Sequence, residues 1–353
     1  MISHVRMLGP EGMGSYSVDW SAPTFVFEPS EKPSSTLVVP GFVDIHFHGA
    51  FGLDFMSMQS GDWPVLCRKL EAEGYEGFLP TTVTAPCSNV LSAIHGMPNH
   101  PMVLGFHLEG PFISRDYPGA QPQNAIADVH VEPSEWDEVF QHPKLRVITI
   151  APEKPNALDL ISRLAQRGVV VSMGHSNATY DEARFGFEFG AANTTHTFNA
   201  MRGFHHREAG LAGYALSNPD LNCELIYDRI HVCKEAAQVL IQAKPADRLI
   251  AVSDSTMATG MPPNLPITMW GVEAETGRNS VTLRGTSTLA GSGISLLQAF
   301  QHLAQDFGEE LAIRACSLNP RRVLGITSKP KVYCEFSPDY ELLAVHNRIE
   351  LQS

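Results

Sequence analysis

The sequence lacks any apolar run approaching the roughly 20 residues that a membrane-spanning helix needs. Its opening residues, Met1-Ile2-Ser3-His4-Val5-Arg6, carry no apolar core of a signal peptide. Paired cysteines are missing too. The six (Cys67, Cys87, Cys223, Cys233, Cys316, Cys334) are scattered with no C-x-x-C pair, so reduced thiols in a cytoplasmic protein are expected. Positive charge is scarce. Against 38 acidic residues stand 25 Lys and Arg, for a net charge of −13, which argues against nucleic acid or an anionic membrane as a partner. An anionic substrate would need a local basic pocket. No early strand is followed by a G-x-G-x-x-G turn, and neither an internal repeat nor a low-complexity segment is found.

What is present is an ordinary globular composition, 43% hydrophobic and 18% charged. A chain of 353 residues exceeds the usual single-core limit unless it is one large barrel with an appendage. Short apolar runs predict strands over 38–47, 78–83, 102–108, 145–150, 168–173, 191–196, 223–228 and 248–253. Amphipathic segments predict helices over 62–73, 157–167, 179–189 and 234–243. Strands alternating with helices indicate a parallel sheet. Eight such units predict a (β/α)8 TIM-like barrel over 41–326. A doubly wound sheet is the alternative, weakened by the missing glycine-rich turn. The two ends, 1–40 and 327–353, read as β-rich and are expected to form a small β-sandwich domain together.

The most informative stretch is Asp44-Ile45-His46-Phe47-His48-Gly49, which follows the apolar run Leu37-Val38-Val39-Pro40-Gly41-Phe42-Val43. Alternate side chains of a strand share a face, so His46 and His48 point the same way at the end of a buried strand. Neutral imidazoles aimed together into an interior suit a metal ion. The bland alternative is coincidence among fifteen histidines. Other predicted strands also end in polar residues: His107 and Glu109, His175, His196, Asp228 and His231, and Asp254. Barrel enzymes place their chemistry at these C-terminal ends. Each residue alone has a structural reading. His107 is better read as a satisfied barrel histidine than as a ligand, Glu109 as a turn carboxylate, and Asp254 as a helix cap. The joint pattern carries the inference.

The chain resembles the amidohydrolase superfamily and, within it, the N-acetylglucosamine-6-phosphate deacetylase family. The matching motifs run in family order from about residue 38 to 325: Pro40 to Gly49, His107-Leu108-Glu109-Gly110-Pro111-Phe112, Gly174-His175-Ser176, and Thr195-His196-Thr197-Phe198-Asn199-Ala200-Met201. They continue with Arg207 to Gly213, Asp228-Arg229-Ile230-His231, Ser253-Asp254-Ser255 and Leu289-Ala290-Gly291-Ser292.

The resemblance implies that Glu109, His175 and His196 hold one divalent metal. Glu109 would bridge to a second, held by His46, His48 and Asp254. One or two ions per subunit are expected, zinc first, with iron, cobalt or manganese also suited to imidazole and carboxylate ligands. The expected reaction is attack of metal-bound hydroxide on an acetyl carbonyl, with Asp254 moving the proton to the departing nitrogen. Arg207 and His231 match the family's phosphate contacts, part of which comes across a homodimer interface. Ala120, Asn199 and Ala200 match sugar-phosphate contacts, and Asp228, Leu289, Ala290 and Gly291 are expected beside them. The structural reading of Arg207 is a surface arginine opening a helix. Where relatives commonly carry histidine, this chain reads Gly119-Ala120-Gln121. Gln121 can donate a hydrogen bond but cannot become a cation, so it either acts more weakly, or a second metal replaces it, or the substrate differs. The rival readings are an amidohydrolase acting on N-acyl amino acids or cyclic amides, and a catalytically silent metal-binding scaffold.

Overall fold

Parallel strands whose side chains are buried on both faces form the frame of the molecule. The structure, a computed structural model, describes residues 2–130 and 134–349. Eight strands follow in order: β1 (Phe42–Phe47), β2 (Tyr75–Pro80), β3 (Phe106–Glu109), β4 (Leu145–Ile150), β5 (Val170–Met173), β6 (Ala191–Thr194), β7 (Asn222–Ile226) and β8 (Leu249–Val252). Every residue of β1 and β8 is buried, which is why these segments read as continuous apolar runs rather than alternating ones. Strands β3 to β8 form one parallel sheet in chain order, and β1 pairs with β2. Backbone hydrogen bonds continue the order at both seams. Thr82 N donates to His107 O (2.9 Å) between β2 and β3, and Asp254 N donates to His46 O (3.0 Å) between β8 and β1. One apolar cluster joins Val43, Ile45, Leu79, Val147, Ile226, Ile250 and Val252, from β1, β2, β4, β7 and β8. Contacts between strands so far apart in the order place that cluster inside a TIM-like frame. The larger core lies between the strands' other faces and the helices.

The helices fall where the periodicity placed them: Trp63–Ala72, Ala157–Gln166, Tyr180–Glu188 and Lys234–Ala243. Thr179 and Glu182 start the third of these with a capping box, which satisfies two otherwise unpaired backbone donors. No described helix is long and apolar enough to cross a membrane.

Two regions differ from the sequence expectation. The chain ends do share a sheet, but among the described residues it is a single six-stranded one rather than two stacked sheets. Its order is Leu342–Asn347, Val332–Phe336, Leu37–Pro40, Ile2–Gly9, Gly12–Asp19 and Glu28–Pro29. Arg6 ties it to a helix of the main body through a two-pronged pair with Glu309 (2.7 Å each). The second difference lies between β8 and the helix Leu296–Phe307. Here a four-stranded antiparallel sheet is inserted: Pro266–Met269, Val272–Thr276, Ser280–Leu283 and Leu289–Ser292. Its strands are short and only partly buried, so they leave little apolar signal in the sequence. Trp270 and Gly271 both have positive φ (54° and 80°), as a tight two-residue hairpin turn requires.

Candidate metal centre and its cavity

The polar strand ends converge. Two triads, His46–His48–Asp254 and Glu109–His175–His196, each bring three ligand-type atoms within 4.8 Å of one another, and all six residues are buried. They adjoin at Glu109. Its Oε1 lies 3.2 Å from His175 Nε2, 3.1 Å from His196 Nε2 and 3.3 Å from His46 Nε2, while Oε2 lies 3.2 Å from His48 Nε2. Asp254 Oδ1 faces His46 and His48 at 3.4 and 3.3 Å. The backbone gives a second sign of function. His175, His196 and Asp254 all adopt positive φ (46°, 30° and 46°), a strained conformation that persists only where surroundings enforce it.

In three of the four rings the far side fixes the near side, whereas His196 Nδ1 is buried without a partner among the described residues. His48 Nδ1 donates to Thr81 O (3.1 Å) and His175 Nδ1 to Tyr117 O (3.0 Å), leaving both Nε2 lone pairs aimed at the carboxylates. His46 Nδ1 meets Glu224 Oε2 at 3.2 Å, and Glu224 also accepts the Asn193 amide (2.8 Å) and the His196 backbone N–H (3.1 Å). Beneath His46, Asp44 accepts the backbone N–H of His46 and Ser253, and burial pushes its carboxyl up to about 7.

This donor set fits a divalent cation. Burial opposes charge on His46 and His48, yet Glu109 and Asp254 outweigh it, raising His48 to about 9 and His46 well above the ordinary imidazole value. Burial likewise opposes charge on Glu109, and His46, His175 and His196 hold the carboxyl well below the usual range. Imidazole nitrogens only 3.1 Å apart, as in His175 and His196, are compatible with a hydrogen shared between them or with a metal that both ligate.

A cavity of about 300 Å³ opens over the triads. His48, Glu109, Gln121, His175, His196 and Asp254 line one end, with Ala120, Asn199, Ala200, His231, Leu289 and Gly291 around it. Asp228 supports this lining from behind: its Oδ2 lies 2.6 Å from His231 Nδ1 and its Oδ1 accepts the Ile230 and His231 N–H. Ala290 is buried between two lining residues. Gln121 does not face the cavity alone, because its amide is bonded to Glu109 and to Thr84 N.

Arg207 is the expected site residue that the fold does not bring in. It lies in an exposed turn before the helix Gly210–Ser217, bonded to His206 Nε2 (3.0 Å), so it does not open a helix either. His107 takes its structural role. Nδ1 donates to Ile45 O (3.0 Å), Nε2 meets Thr149 Oγ1 (2.8 Å), and burial, with the charge on His46, holds the ring neutral. Sequence reasoning missed Trp270, Ser287 and Thr288, which reach the cavity from the inserted sheet, and Glu224 behind His46. Trp270 packs edge-on against His48 (5.2 Å) and donates its indole N–H to Asp54 (2.8 Å). Its one sequence signal was a Trp-Gly pair between the short alternating stretches Leu265-Pro266-Ile267-Thr268-Met269 and Val272-Glu273-Ala274.

The amidohydrolase family model matches residues 37–329. The chain is 32% identical to the N-acetylglucosamine-6-phosphate deacetylase of Lysinibacillus sphaericus, over 89% of this chain and 83% of that protein. It is 35% identical to the N-acetylgalactosamine-6-phosphate deacetylase of Escherichia coli O157:H7, over 82% and 78%. Among solved structures, a mutant N-acetyl-D-glucosamine-6-phosphate deacetylase from Mycobacterium smegmatis, in complex with N-acetyl-D-glucosamine-6-phosphate, superimposes with a TM-score of 0.90. It is 27% identical, and the match covers 98% of this chain and 97% of that one. The strand-end triads, the cavity above them and these likenesses agree: the chain belongs to the amidohydrolase family and, within it, to the N-acetylglucosamine-6-phosphate deacetylases.

Proposed function

We propose that this protein hydrolyses the acetamide of N-acetyl-D-glucosamine 6-phosphate, releasing acetate and D-glucosamine 6-phosphate, with one or two divalent metals. The observation that carries the reading is the carboxylate of Glu109, shared between two ligand triads at one end of a cavity that holds His231 and Asn199 beyond them. Glu109, His175 and His196 would hold the first ion, and His46, His48 and Asp254 a second, with Glu109 available to both sets. Nitrogen and oxygen donors suit zinc, and also iron, cobalt or manganese. An ion bound there supplies Lewis-acid polarisation of the carbonyl and lowers the pKa of water.

The remaining work falls to the chain's own groups. An amide resists hydrolysis because amine is a poor leaving group. Burial would keep Asp254 protonated, but His46 and His48 hold its carboxyl below the usual range, so it is available as a base. It takes a proton from the attacking water and passes it to the departing nitrogen. His231, held by Asp228, and the Asn199–Ala200 turn orient the sugar phosphate. Leu289 and Gly291 close the cavity wall beside them. Arg207 lies outside its own subunit's cavity, which supports a homodimer in which it reaches a partner's phosphate site. The six cysteines are all free thiols, in keeping with a cytoplasmic enzyme. Separate units for the barrel, 41–326, and the paired chain ends belong to the same reading, supported by the shared end sheet.

Acetate release measured together with bound metal tests the proposal. Phosphorylated N-acetylglucosamine is expected to be turned over far faster than the unphosphorylated sugar, chelation to abolish the activity, and added zinc to restore it. Equal rates on both sugars, or hydrolysis confined to N-acyl amino acids, would rule it out. The galactosamine epimer belongs in the same series, given the Escherichia coli relative.

A further inference from the structure

Gln121 makes two hydrogen bonds at the metal end of the cavity. Its Oε1 accepts the Thr84 backbone N–H (2.7 Å), and its Nε2 donates to Glu109 Oε2 (2.6 Å). The first bond dictates the second. A backbone N–H can only donate, so the amide carbonyl must face Thr84 and the NH2 must face Glu109. The side chain is only 6% exposed, so little water competes for either bond. The terminal torsion of a glutamate is soft, and a carboxylate without a fixed partner swings broadly about it. Here the amide pins Oε2, which also faces His48 at 3.2 Å, and so fixes Oε1 toward His175, His196 and His46 at 3.2, 3.1 and 3.3 Å.

We infer that Gln121 is a positioning residue for Glu109, fixing the orientation of the carboxylate that both ligand sets share. The inference rests on the metal reading above and goes beyond it in naming the residue that orients the shared carboxylate. Gln121 thus acts through Glu109, and its inability to become a cation does not matter for that role.

Zinc titration of the full-length enzyme, stripped with chelator and refilled against a metal indicator, tests it. In Gln121→Met, which keeps the side chain's length but donates no hydrogen bond, affinity for the first ion is expected to fall by about 10- to 100-fold. The visible absorption of the cobalt-loaded enzyme should change at the first equivalent. Gln121→His, whose ring N–H can donate, should recover most of the affinity. If the methionine variant does not fold, Gln121→Asn, too short to span Thr84 and Glu109 together, is read in the same way. Wild-type affinity and an unaltered cobalt spectrum in the non-donating variant would overturn the inference while leaving the metal reading intact. So would a histidine variant as weak as the methionine one. A wild-type enzyme that takes up no ion would remove both.

Discussion

Asp228 sets the charge of His231 and, if His231 holds the substrate's phosphate as proposed, the pH range in which that anion is held. Burial opposes the imidazolium, but the 2.6 Å bond to Asp228 outweighs it and raises the pKa above the ordinary histidine value. A raised folded-state pKa means the favourable charge is fully present below the unfolded value and is lost as pH rises through the folded one. KM for the phosphorylated sugar is therefore expected to climb with pH across that window. Asp228→Asn should move the climb to lower pH with kcat little changed. KM–pH profiles of the two proteins check this, and superimposable profiles would remove His231 from phosphate binding. Asp254 is tested separately. Asp254→Asn should lower acetate release by roughly 10²- to 10⁴-fold, the usual contribution of a positioned acid–base group, while metal analysis shows the first ion retained. Near-normal turnover with full metal would remove Asp254 from proton transfer.

At the scale of elements, the strand ends do the positioning, and the inserted sheet completes the cavity. Gly291 shows how tightly the two are coupled. Its φ is +69°, and a Cβ there would sit 2.5 Å from Thr256 Cγ2 and 2.8 Å from Asp254 O. Gly291→Ala must therefore strain its own backbone and push on the residue that carries Asp254. A loss of about 1–3 kcal/mol in denaturant unfolding is expected, with a larger fractional loss of activity than of folded protein. The eight strands and four of the helices were legible because their apolar spacing reports burial directly. The inserted sheet was not, since its strands are short and mostly half-exposed. Of its lining residues, only those in the Leu289–Ser292 motif were found in advance.

The whole molecule bears on Arg207. One subunit leaves it in an exposed turn, beside exposed Phe204 (64%) and outside the cavity that would need its charge. The protein carries a net charge of −13, so a phosphate must be met by cations placed for the purpose. If Arg207 serves a neighbouring subunit, Arg207→Ala and Asp254→Asn proteins, each nearly inactive, should regain activity when mixed under conditions that exchange subunits. Each hybrid would then hold one complete site. The acetate-release assay reads this, and no recovery in verified hybrid dimers would place the action of Arg207 elsewhere.

The sequence by itself determined the alternation of buried strands and helices, and the residue types at the strand ends. It thereby specified which side chains are available as ligands. His46 and His48 were readable as a pair because strand geometry sends alternate residues to one face. Only the tertiary structure decided what they pair with. The ring of strands brings Glu109 from β3 to within 3.3 Å of His46 on β1, gathers His175 and His196 around the same carboxylate, and sets Asp254 against His46 and His48. Tertiary structure also decided the part of Gln121. Its chemistry as a donor was plain from its type, but its bonds to Thr84 and Glu109 depend on where a loop after β3 folds back. Periodicity is local and survives in one dimension, whereas convergence of distant strand ends exists only once the chain has closed on itself.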